Sequence, residues 1–240
     1  MAATSLPREI AASITYTYTT ESSSDWSSVP VSTYFFDKTN KLVYYKDSLG
    51  TIIPIYSTGE YTYEIGQYVA AEGGVIFHRW KSTSALGTPT AGTIQNYLVL
   101  DLTDVSLSAS YSTIDVDISN VESYWNGFTN TANLIAAGAG SGITVGTAAE
   151  LCDSLVSGGK SDWYLPAAFE LLTIYKNLWD VQRGIETATG TTVGTTEYWS
   201  STETDASTAI IFTFNGGLLQ NSKKNAAIYA VRAVRRFSTQ

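Results

Sequence analysis

Between residues 13 and 58 apolar and polar positions alternate with period two or gather into short runs: "SITYTYTT", "TYFFD", "KLVYY" and "TIIPIY". That spacing predicts strands. Lys38-Thr39-Asn40 and Asp47-Ser48-Leu49-Gly50 read as turns between them. Strands this short bury little alone, so the three-stranded meander they predict needs a second surface, from the rest of the chain or another subunit. Further on, Gly73-Gly74 leads into a buried strand at 75–77, and residues 81–93 read as loop. A strand follows at 97–102, and "STIDVDIS" alternates as another. The Gly-, Ala-, Asn- and Thr-rich stretch 126–146 predicts a long irregular connection.

The period then changes. Thr147-Ala148-Ala149-Glu150 has the spacing of a capping box, and Leu151, Cys152, Leu155 and Val156 form one helical stripe that Gly158-Gly159 stops. Pro166 suits the first position of a second helix and Glu170 its first turn. Ala168, Leu171, Leu172, Tyr175, Leu178 and Trp179 supply its buried face, with Trp163 and Leu165 pinning the corner before it. After residue 195 the chain reads as short strands and loops. Thr208, Ile210, Phe212 and Phe214 alternate into Asn215-Gly216, a hairpin signal.

"GGKSDWYLPAAFELLTIY", "EYWSSTET" and "YAVRAVRRF", in that order, resemble the Lcl C-terminal domain family, and "IGQYVAAEGGVIFHRW" is similar to its opening strand. The resemblance spans roughly residues 60–237. It implies an α+β, C-type-lectin-like domain with two helices, a small twisted antiparallel sheet and long loops that present ligands. The expected division is therefore a β-rich attachment or oligomerisation module at 1–58 and the lectin-like domain at 59–240. The resemblance also puts ligand contacts after Trp199. The polar candidates there are Glu203, Thr204, Asp205, Asn215, Gln220, Asn221, Ser222 and Asn225. Trp199-Ser200-Ser201-Thr202 reads as a motif that fixes backbone. Asp162, Trp163 and Glu170 are expected to meet Arg232 or Arg235 in a buried network beside Pro166.

Composition adds the setting. Only 15% of residues are charged, and Ser, Thr, Asn, Gly and Tyr carry the polar load, as on outward-facing proteins. The net charge of −8 argues against a nucleic-acid partner. Residues 221–240 hold five of the 14 bases and none of the 22 acids, but their arginines alternate with apolar residues as in a strand. Cys152 is the single cysteine, so no intrachain disulfide exists and secretion through an oxidising compartment is not expected. The start, "MAATSLPREI", has no basic-then-apolar signal, and no apolar run is long enough for membrane insertion.

Candidate chemistry is sparse. Cys152 falls inside an apolar stripe and reads as core, not nucleophile. His78 is the only histidine, which leaves no zinc set and no hydrolase triad. Asp115 and Asp117 alternate on a strand's wet face and do not make a metal site. The tripeptides of calcium-dependent lectins are absent, and one cysteine cannot reproduce the copper site of the related sulfatase activators. The expectation is a non-enzyme without metal or cofactor. It would be a bacteriophage virion subunit, a head or tail fibre or decoration protein made in the host cytoplasm and exposed on the particle. Its expected partners are other virion proteins, sister copies in a homo-oligomer (a trimer) and a host-surface glycan or protein receptor. The alternative is a bacterial cell-surface adhesin domain that binds polysaccharide.

Overall fold

Residues 18–20, 23–31, 33–37, 42–46, 48–50, 52–57, 61–90, 92–138, 147–226 and 228–239 are described by the structure, a computed structural model. The chain divides into two compact units, Met1–Tyr61 and Thr62–Gln240.

In the first unit β1 (Tyr18–Thr20), β2 (Thr33–Asp37), β3 (Leu42–Lys46) and β4 (Ile52–Ser57) form one sheet in that order. The meander of β2, β3 and β4 is antiparallel, as the sequence predicts. The extra strand, β1, lies parallel to β2, which requires a long crossover. That crossover carries a 3-10 turn at Ser23–Ser28, and Lys46 Nζ ties it down by donating to the carbonyls of Trp26 (3.1 Å) and Val29 (2.8 Å). The predicted turn at Lys38-Thr39-Asn40 lies outside the described residues. Ser48, Leu49 and Gly50 do turn, with Gly50 at φ 84°.

The second unit is α+β, with two sheets. Its strands are β5 (Tyr68–Val69), β6 (Gly74–Ser82), β7 (Ile94–Asp101), β8 (Ser106–Ala109), β9 (Glu197–Glu203), β10 (Thr208–Thr213), β11 (Leu218–Lys223), β12 (Tyr229–Val231) and β13 (Val234–Thr239). One sheet runs β13-β7-β6-β5 and the other β11-β10-β9-β12-β8. Only Arg232 and Ala233 separate β12 from β13, so the last strands cross from one sheet to the other. The helices are α1 (Gly127–Gly138), α2 (Ala148–Asp153), α3 (Ala168–Lys176) and α4 (Leu178–Thr187). Helix α3 touches β6 of one sheet and β9 and β10 of the other. Leu171, Ile174 and Ile185 thereby join Phe77, Phe212 and Val234 in one core.

Several predicted elements differ from those observed. Residues 126–146 are not wholly irregular, because they contain α1. This helix buries Asn130, Thr131, Leu134 and its end glycines, so hydrophobic periodicity gives it no signal. "STIDVDIS" is not a strand, and its backbone bonds to side chains instead of a ladder: Lys224 Nζ donates to the Val116 carbonyl (2.6 Å) and the Ile118 N–H donates to Glu203 Oε1 (2.9 Å). Thr147 sits at the start of α2 without a side-chain cap, and the helix ends at Asp153, leaving Val156 exposed. Gly158 and Gly159 (φ 58° and 73°) then form a tight turn closed by Ser157 and Lys160. Glycine is needed there for space as well, since a Cβ on Gly158 would fall 2.2 Å from the Gly73 Cα. The helix predicted from Pro166 begins at Ala168 and breaks at Asn177, whose side-chain amide donates to the Phe77 carbonyl at 3.0 Å. Trp179 therefore falls outside the buried face and is 76% exposed.

Candidate functional site

The corner between α2 and α3 is a web of side-chain-to-backbone bonds. Trp163 is buried and donates through Nε1 to the Ser157 carbonyl (3.2 Å). Trp199, on β9, is fully buried and donates to the Ala109 carbonyl (2.8 Å). The three hydroxyls after it all meet other elements. Ser200 donates to the Ile210 carbonyl (2.8 Å), and Ser201 Oγ accepts from the Asn130 amide (3.3 Å) while its N–H donates to the Pro166 carbonyl (2.8 Å). Thr202 donates to the Ser123 carbonyl (2.9 Å) and accepts from the Ala168 N–H (3.1 Å), capping α3. These side chains are occupied in holding the loops, α1 and α3 on the sheet.

Glu170 does not bond to Arg232 or Arg235, contrary to expectation. Its carboxylate accepts from the N–H of Ala167 (2.7 Å), from the Tyr164 hydroxyl (2.9 Å) and from the Gly127 N–H. One buried carboxylate thus serves the N-termini of both α1 and α3, where donors are unsatisfied and negative charge is favoured. Burial still dominates and raises its pKa to about 7, against those hydrogen bonds.

The arginines have other partners. Arg235 makes a fork to Asp162, Nε to Oδ1 at 2.7 Å and Nη2 to Oδ2 at 2.9 Å, and its Nη1 pairs with Glu72. Burial of Asp162 works against its charge, but Arg235 wins and holds its pKa below the usual carboxylate value. Arg232 is buried and donates to the carbonyls of Asp101 (2.9 Å) and Thr191 (2.8 Å) and to Asp104 (3.0 Å). Cys152 is fully buried, and burial pushes its thiol pKa well up. His78 is half-buried and stacks on Trp80. Among the described residues no three or more His, Cys, Asp or Glu side chains cluster to hold a metal ion.

The eight predicted contact residues do not form one patch. Glu203 is buried and paired with Lys224, itself fully buried, at 2.8 Å, so it is withdrawn from any surface ligand. Asp205 is exposed, yet its carboxylate is committed to the β9–β10 turn. It accepts from the N–H groups of Ser207 (2.7 Å) and Thr208 (2.8 Å) and from both hydroxyls. Those bonds, Thr208's first, lower its pKa to about 2. Thr204 is half-buried on Thr208, and Ser222 donates to the Tyr229 hydroxyl (2.9 Å). Asn215 sits at the β10–β11 turn, with Gly216 and Gly217 at φ 110° and 70°. Since Thr213 pairs with Leu218 and Thr208 with Lys223, Asn215 lies at the far end of the hairpin from Asp205. The six residues of β10 separate the ends, about 17 Å. What remains is an exposed polar edge on β11 and the turn after it: Gln220, Asn221 and Asn225. Among the described residues β11 pairs only with β10, at the end of its sheet.

A family model described as the Lcl C-terminal domain matches residues 108–235, more than half of the chain. It takes in the Ser-Asp-Trp, Tyr-Trp-Ser-Ser-Thr and closing arginine motifs, while the stretch around residues 65–80 lies outside it. Among solved structures, a fimbrial protein from Bacteroides ovatus is similar at 16% identity and a TM-score of 0.44. That match covers 59% of this chain and 35% of the fimbrial one. No curated protein matches.

Proposed function

We propose, on the premise that this chain belongs to the Lcl C-terminal domain family, that it is a surface-displayed recognition subunit without catalytic activity. The second unit is the recognising part, with the family's C-type-lectin-like fold as its scaffold. The first unit, through residues 1–58, joins the chain to a larger particle and to sister copies. In its specific form the protein is a bacteriophage head or tail fibre or decoration subunit, and its ligand is a host-surface glycan or protein. The observation that carries the reading is the polar edge of Gln220, Asn221 and Asn225. All three amides are exposed, with Lys223 the one exposed charged side chain among them, and β11 is mounted on β10, whose Ile210, Ile211 and Phe212 are buried. Adaptable amide groups on a rigid support suit recognition of a polar surface. The virion form draws support from a low-charge composition in a chain with one buried cysteine, which needs no disulfide chemistry.

Mass spectrometry of purified phage particles tests the setting, with a chain lacking residues 1–58 as its partner experiment. Full-length protein is expected in the particles and the truncated protein in the soluble fraction only. Normal incorporation of the truncated chain overturns the division of labour.

A further inference from the structure

A cleft of about 350 Å³ opens among β6, the loop after it, the start of α1 and the face of α3, away from the hairpin edge. Trp80, Trp125, Tyr164 and Phe169 supply its aromatic lining, and His78 and Arg236 are among its polar groups. We infer that this cleft binds a neutral pyranose ring of an oligosaccharide.

Trp125 is 73% exposed at the cleft, its ring edge-on to Phe169 with centroids 4.3 Å apart. A single exposed apolar side chain is unremarkable on any protein. Here it continues into the half-buried rings of Trp80 and Phe169, so the exposed indole is the outer end of an aromatic wall. The Trp80 ring is held in place by its Nε1 bond to the Gly87 carbonyl (2.8 Å) and stacks with His78 at 5.6 Å. Arg236 lies over the Phe128 ring at 3.9 Å, which fixes its guanidinium at the cleft. The lining is thus mainly apolar, preformed and supplied with a few placed polar groups, in the size range of small-ligand sites.

The ligand class follows from matching both halves. A wholly apolar ligand would bury an imidazole and a guanidinium without partners, at a cost of about 1–3 kcal/mol for each polar group. A wholly polar one would leave the aromatic faces unused. A pyranose ring presents a flat C–H face to an aromatic ring and hydroxyls around its rim, so it satisfies both. The choice of a neutral ring rests on charge. Arg236 and the buried Glu170 both line the cleft. An anionic sugar would bring a further acid group beside that buried carboxyl, on a chain of net charge −8. None of the lining residues lies between Thr204 and Asn225, so this site can fail while the hairpin-edge reading stands, and the reverse.

The test is a titration of the full-length chain with methyl glucoside, methyl galactoside and methyl N-acetylglucosaminide, with glucuronate in parallel, followed by NMR at the indole N–H resonances. At least one neutral glycoside is expected to shift Trp125 saturably while the equally exposed Trp179 stays put. Trp125→Ala, which removes no buried contact of the core, is expected to weaken that binding about tenfold with Tm unchanged. Three outcomes overturn the inference: no neutral glycoside moves Trp125, glucuronate alone binds, or Trp125→Ala binds as tightly as the parent chain.

Discussion

Glu170 and Glu203 are both carboxylates shut inside the fold, and each shows how a single residue couples distant parts of it. The unfolded chain titrates Glu170 near its ordinary 4.5, whereas the folded chain holds the proton up to about 7. In between, this residue binds more protons in the folded state than in the unfolded one, so its own contribution to stability is greatest below about pH 4.5 and is lost as pH rises to about 7. The full contribution is about 3 kcal/mol. Urea unfolding across that window is expected to show this decline in the parent and a smaller one in Glu170→Gln, which retains Glu203. Glu203 answers to a different logic. Its pKa is raised by burial, while Lys224 and the Ile118 N–H hold it back. Lys224→Met leaves that carboxylate buried without its counter-charge, which costs about 3–5 kcal/mol. Thermal unfolding is expected to show that loss, and Glu203→Gln in the same chain is expected to recover part of it. Neither role is legible in the sequence. Glu203 stands at the end of a strand beside Thr204 and Asp205, where it resembles a loop residue, and its partner is 21 positions away.

Elements were legible where apolar spacing carried them. The strands β2 to β4 and β10, the start of β6, the α2–α3 corner and the Asn215-Gly216 hairpin all announce themselves through period or turn chemistry. Helix α1 does not, because its buried side is Asn130 and Thr131, whose partners are Ser123, Ser201 and Leu165. The break between α3 and α4 is equally silent, since Asn177 is drawn off by a carbonyl 100 positions earlier. The Trp-Ser-Ser-Thr motif binds these elements together, and the Thr202 hydroxyl joins α3 to the loop before α1. Thr202→Ala removes the cap on α3 and the bond to the Ser123 carbonyl at once. The expected loss is about 2 kcal/mol, with Thr202→Ser retaining most of the stability, as measured by chemical denaturation.

At the scale of the molecule, two sheets share one core because the chain crosses between them at Arg232-Ala233, with Arg232 tied to the Asp104 carboxylate and the Asp101 carbonyl, and Arg235 to the carboxylates of Glu72 and Asp162. The charges along the chain point to buried arginines with acidic partners, but only the fold chooses the pairs: Asp162 takes Arg235, and Glu170 takes backbone donors and Tyr164 instead. The surface left after those pairings is the polar edge of β11. The most direct test of recognition there is binding of labelled full-length chain to a panel of intact bacterial cells, compared with Gln220→Ala/Asn221→Ala/Asn225→Ala. The expected result is saturable binding to at least one strain, weakened about tenfold or more in the triple variant while its Tm is unchanged. A variant that binds like its parent, or a parent that binds no cells, contradicts the claim.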